Sequence, residues 1–176
     1  HHRIVTKDIL EGLVQTFSQA DREDWHGALW VLQELYDVND VILELRQVFA
    51  WESFHEIYQQ MILILANNGS HLAIQVLNEL LLHSHEPIRG QALNTLMELA
   101  DPFAEQCLSE AASENPYPEI RLKIAKYYAQ QPTDQTTYWL TNMLHDEEQA
   151  IRLCVVQALQ QRDVQAEPLR EALFTE

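Results

Sequence analysis

Apolar residues recur along this chain at intervals of three and four, the spacing that lines one face of an α-helix. His71–His83 carries Leu72, Val76, Leu77, Leu80 and Leu81; Pro102–Ala112 carries Phe103, Cys107, Leu108 and Ala111; Thr136–Leu144 carries Trp139, Leu140, Met143 and Leu144. Earlier in the chain the same periodicity predicts helices at about 4–19, 22–36, 39–50 and 53–67. Asp21 and Asn39 read as N-caps, and Asn67-Asn68-Gly69 reads as a stop. A closing helix is predicted at about 164–174, with Leu169 and Leu173 inward. Between the three apolar segments lies a second kind of helix that repeats more closely.

The repeat is visible as Ile88-Arg89, Ile120-Arg121 and Ile151-Arg152, spaced by 32 and 31 residues. Five positions before each Ile stands a polar residue suited to a turn: His83, Asn115 and Asp146. Pro87, Pro116 and Pro118 fall in the loops or first turns, where a missing amide donor costs little. Each unit therefore reads as helix, short turn, helix. A lone hairpin of that size cannot bury its apolar face, so neighbours must stack.

Composition sharpens this picture to an all-α chain. Only four of 176 residues are Gly, whereas tight β-turns depend on glycine. The net charge is −16, with 4 basic and 11 acidic residues in 1–69 and 7 and 16 in the rest, so the acidity belongs to the body and not to a tail. That field opposes phosphate backbones and anionic membranes, and a basic protein partner is its natural complement. Cys107 and Cys154 show no metal-binding or CxxC spacing, which points to reduced thiols in a cytoplasmic compartment. The longest apolar run, Met61–Ala66, is far too short to span a membrane. His1-His2 looks like the remnant of an affinity tag, so the chain reads as part of a longer parent, which could carry a membrane anchor.

The motif Ile-Arg-x-x-apolar, preceded by a turn residue, resembles the second helix of a HEAT repeat, and the short period is closest to the phycobilisome-lyase-like variant. The likeness covers residues 70–162. It implies a right-handed α-solenoid of antiparallel helical hairpins with about 10–11 helices, forming one domain over 1–176. Residues 1–69 would be an irregular N-terminal cap with Trp25, Trp30, Phe49, Trp51, Phe54 and Tyr58 as bulk, and 163–176 a C-terminal capping helix. The resemblance also implies a polar ladder between repeats, with Arg89, Arg121 and Arg152 as donors and Asn115 and Asp146 as acceptors. His83 departs from the acidic pattern.

No catalytic constellation emerges. There is no Gly-rich phosphate loop and no nucleophile–base motif. His55-Glu56 and His85-Glu86 resemble the iron ligands of deoxyhypusine hydroxylase, but that family uses four such pairs, placed after the motif Arg, whereas His85-Glu86 precedes Arg89. No metal and no cofactor are expected. HEAT arrays are mostly interaction scaffolds, so the resemblance implies a non-enzymatic adaptor that binds a protein and not nucleic acid; the alternative is a subunit of a chromophore lyase or related modification enzyme. The second helices of such arrays line the concave face. With Ile88, Ala92 and Leu96 inward, the partner-binding stripe would be Gln91, Asn94 and Glu98, then Lys123, Lys126 and Gln130, then Cys154, Gln157 and Gln161. Tyr127 and Tyr128 are further contact candidates.

Overall fold

The second helices of the three Ile-Arg units each bury the same three positions, four residues apart: Ile88, Ala92 and Leu96; Ile120, Ile124 and Tyr128; Ile151, Val155 and Leu159. The structure, a computed structural model, describes the backbone of residues 55–162 and the side chains of 61–63 and 65–162. Within that span the helices are α1 (His55–Asn68), α2 (His71–Leu80), α3 (Glu86–Glu98), α4 (Pro102–Glu114), α5 (Pro118–Ala129), α6 (Asp134–Asn142) and α7 (Gln149–Gln160), with a 3-10 turn at Met143–His145. No strand occurs among the described residues. The helices expected before residue 53, the cap side chains from Trp25 to Tyr58 and the closing helix at 164–174 lie outside them.

The chain divides into two compact units, residues 1–77 and 78–176, with the boundary inside α2. In the first unit α1 stops where the sequence says it should. Gly69 takes a left-handed φ of 58° that a side chain resists, and its N–H closes the last turn on the Leu65 carbonyl at 3.1 Å. Ser70 then caps α2, its hydroxyl accepting from the Ala73 N–H at 3.2 Å. Met61, Ile62, Leu65, Ala73, Ile74, Val76 and Leu77 are buried side chains of this part.

In the second unit α3 packs on α4, α4 on α5, and α5 on α6; α5 also packs on both α3 and α7. Helix starts are strongly marked. Pro102 and Pro118 open α4 and α5, and Pro87 is the second residue of α3. Asp101 caps α4 by accepting from the N–H groups of Phe103 and Ala104, and Thr133 and Thr136 form a reciprocal capping box at α6. Several boundaries differ from the sequence reading: α4 runs past Ala112 to Glu114, and α6 starts at Asp134, two residues before Thr136. α2 ends at Leu80, three residues before His83, and α6 ends at Asn142, its last apolar residues Met143 and Leu144 falling in the 3-10 turn yet still buried. Burial of that pair survives because 3-10 and α turns both return side chains to one side every three to four residues.

Candidate functional site

Two polar systems run through residues 78–162: one ties the repeats together, and one faces solvent.

The first is a turn built three times from the same bonds. His83, Asn115 and Asp146 each accept, through the side chain, the N–H two residues on: His83 Nδ1 from His85 at 3.0 Å, Asn115 Oδ1 from Tyr117 at 2.9 Å, Asp146 Oδ1 from Glu148 at 2.9 Å. Each also offers its backbone carbonyl to Nη1 of the Arg six residues on, at 2.8, 2.7 and 2.8 Å for Arg89, Arg121 and Arg152. His83 thus performs the Asn/Asp role with a ring nitrogen, so its departure from the acidic pattern leaves the turn intact.

Arg89 and Arg121 then reach into the following repeat. Arg121 donates from Nε and Nη2 to the two Asp146 oxygens at 2.8 and 3.0 Å, and from Nη2 to Glu147 at 3.0 Å. The bonds to Asp146 are the largest influence on Arg121 and, against the opposing effect of burial, raise its pKa above the ordinary value. Arg89 does not use Asn115 as the resemblance implied. It pairs with Glu119 through Nε and Nη2, and its guanidinium lies 3.6 Å from the Tyr117 ring centroid. Asn115 instead donates from Nδ2 to the Leu81 carbonyl at 3.2 Å, because a neutral amide gains more from an orphan carbonyl than from a cation needing a carboxylate. A cleft of about 340 Å³ opens over this junction, lined by Glu114, Pro116, His145 and Glu147, but the donors of Arg121 are already engaged.

The second system is the predicted stripe. Asn94, Glu98, Lys123, Lys126, Gln130, Gln157 and Gln161 are all exposed, and Gln91 and Cys154 are half-buried. The stripe crosses from helix to helix. A Cβ on Gly90 of α3 would lie 3.2 Å from Lys123 Nζ, so the ammonium rests against bare backbone. Burial lifts the Cys154 thiol above its ordinary value while the Lys126 charge opposes the rise, which sets Lys126 beside α7. The part of Gly90 escaped sequence reasoning, although a glycine inside a strong helix pattern was a signal in itself.

The tyrosines divide. Tyr128 is wholly buried, stacked 4.7 Å from the Trp139 ring, and its hydroxyl has no partner. Tyr127 is half-buried, its hydroxyl within hydrogen-bonding distance of the Met97 carbonyl at 3.1 Å and Glu105 Oε1 at 3.0 Å. Neither offers a free ring to a partner in the way Tyr138, 62% exposed on α6, does. His85 and Glu86 fall at the N-cap and first residue of α3, and no group of three or more His, Cys, Asp or Glu among the described residues could hold a metal ion. No described helix is long and apolar enough to cross a membrane.

A scan against protein-family models finds no match, and a search of the curated proteins finds none either.

Proposed function

We propose that this chain is a protein-docking module, a short stack of HEAT-like helical hairpins that presents the polar stripe of its second helices to a partner without performing a reaction. The observation that carries the reading is the separation of the two polar systems. The arginines of the repeat face inward and serve the turns and the junctions. The stripe residues take no part in those bonds, so folding does not account for them. Contacts of α5 with both α3 and α7 favour a solenoid-like stack in which the stripe runs continuously from Gln91 to Gln161. Polar side chains rich in amides suit adaptable hydrogen bonding to a protein surface. The test is quantitative capture from a cell extract with wild type, Glu98→Lys and Lys126→Glu, each first checked by thermal melting. A docking stripe predicts partners retained by wild type and depleted on the variants at unchanged melting temperature. Capture profiles that do not differ would remove the stripe from the reading.

A further inference from the structure

Six cationic side chains lie among the described residues: Arg89, Arg121, Lys123, Lys126, Arg152 and Arg162. Four of them have structural work. Arg89 and Arg121 bind carboxylates and turn carbonyls, and Arg152 holds the carbonyls of Asp146 and Glu147 at 2.8 and 2.9 Å. Arg162 closes the end of α5, donating to the Tyr128, Ala129 and Gln131 carbonyls and to the Thr136 and Thr137 hydroxyls. That leaves Lys123 and Lys126, both exposed, both on α5, three residues apart and therefore on one face. Among the described residues, the stripe is the surface on which cations without a hydrogen-bonded carboxylate or carbonyl appear, in a chain of net charge −16.

The arrangement works against folding. Like charges one turn apart repel, weakly but with the wrong sign. Glu119, one turn before Lys123, spends its hydrogen bonds on Arg89, and Lys123 acts on it only through its charge. Gly90, which makes room for the Lys123 ammonium, is an interior helical glycine, a destabilising choice relative to Ala. Around the pair stand neutral amides, Gln91 and Asn94 on one side and Gln157 on the other, with Glu98 the single carboxylate of the stripe.

We infer that the stripe takes an acidic, extended segment of a partner protein, held at its centre by Lys123 and Lys126. The inference rests on the docking reading above and specifies the occupant. The body's field favours a basic partner at long range, but within about 10 Å the nearest charges dominate, and on the stripe those are the two ammoniums. Each amide carries a donor and an acceptor, as does each peptide unit of an extended chain, so the flanking residues can pair with backbone while the lysines pair with side chains. Residues three apart on a helix have Cβ atoms about 5–6 Å apart. Alternate residues of an extended chain lie about 6.6 Å apart on one side. The expected signature is therefore two carboxylates separated by one residue.

The experiment pans the full chain against a phage library of random decapeptides at near-physiological salt, then titrates fluorescent versions of the enriched peptides by anisotropy. The proteins titrated are wild type, Lys123→Gln/Lys126→Gln, Lys123→Glu/Lys126→Glu and Asn94→Arg, with the single Lys126→Gln as a milder variant should a double one melt early. The inference expects Asp or Glu at alternate positions, affinity lower by roughly tenfold for the double Gln variant, and a larger loss for the double Glu variant. Enrichment of basic or uncharged peptides that still lose affinity in Asn94→Arg would overturn the acidic occupant and leave the stripe as a docking surface. Peptides indifferent to every stripe variant, or no enrichment at all, would overturn both.

Discussion

Arg121 crosses from one repeat to the next and grips Asp146 with two parallel bonds, at 2.8 and 3.0 Å, the side chains being 5% and 6% exposed. The same guanidinium ties down the turn that precedes its own helix through the Asn115 carbonyl. One side chain thus fixes both the start of α5 and the seat of the next hairpin. Removing it strands a buried carboxylate, a loss of about 3–5 kcal/mol. Arg121→Ala should show this as a lower midpoint in urea. Arg121→Lys should recover little, because a single ammonium cannot reproduce the planar fork.

His83 should be replaceable by Asn but not by Ala. Its Nδ1 stands where Asn115 Oδ1 and Asp146 Oδ1 stand in the other two turns. His83→Asn keeps a side-chain acceptor for the His85 N–H and should stay within about half a kcal/mol of wild type. His83→Ala leaves that N–H without it and should cost about 1 kcal/mol, on the scale of a lost helix cap. Paired denaturant melts of the two variants are the measurement.

That turn also explains how far the sequence could be read. The Ile-Arg spacing located α3, α5 and α7 and their buried faces, since apolar periodicity records burial directly. It located the exposed stripe for the same reason, as the complement of Ile88, Ala92 and Leu96. The Arg89 partner was not legible. A turn residue five positions before the motif Ile marks where the chain bends, but which carboxylate a long guanidinium reaches depends on side-chain rotamers, and Glu119 is the nearer candidate only in three dimensions. Gly90 was equally opaque, because its role depends on a lysine 33 residues away.

Tyr127 and Tyr128 should respond oppositely to loss of the hydroxyl. The Tyr128 hydroxyl is buried with no partner, and burial, aided by the charge of Glu105, pushes its pKa upward. Tyr128→Phe removes an unsatisfied polar group while keeping the stack on Trp139, so it should be neutral or stabilising by about 1 kcal/mol. Tyr127→Phe gives up its bond to α4 or to the end of α3 and should destabilise by a similar amount. Thermal melts in which both variants fall together would contradict the assignment.

Acid should loosen the Arg89 junction. Burial alone would raise the Glu119 carboxyl, but the bonds from Arg89 and its own backbone, with the charges of Arg89 and Lys123, together hold it below its ordinary value of 4.5. The unfolded chain then takes up this proton at a higher pH than the folded one. Stability from the pair is complete above the ordinary value and declines as the pH falls from there through the lower folded value. Glu119→Gln should be less stable than wild type near pH 7 and converge toward it as the pH falls below the ordinary carboxyl value, read by urea midpoints across that range.

Gly90→Ala is the variant in which stability and docking should part company. Gly90 is helical and its φ is not left-handed, so an added methyl meets no backbone strain. Ala reduces the freedom of the unfolded chain and should stabilise by about 0.5–1 kcal/mol. The one close contact is with Lys123 Nζ at 3.2 Å, the far end of a flexible side chain that can swing aside at little cost. The melting temperature should therefore rise. The same swing lifts the ammonium from its seat against α3, so a ligand that uses Lys123 should bind less well to the more stable protein. Thermal melting and peptide titration on one preparation separate the two effects. A higher melting temperature with unchanged affinity would mean that Lys123 binds equally well from another rotamer, and that Gly90 is not there to position it.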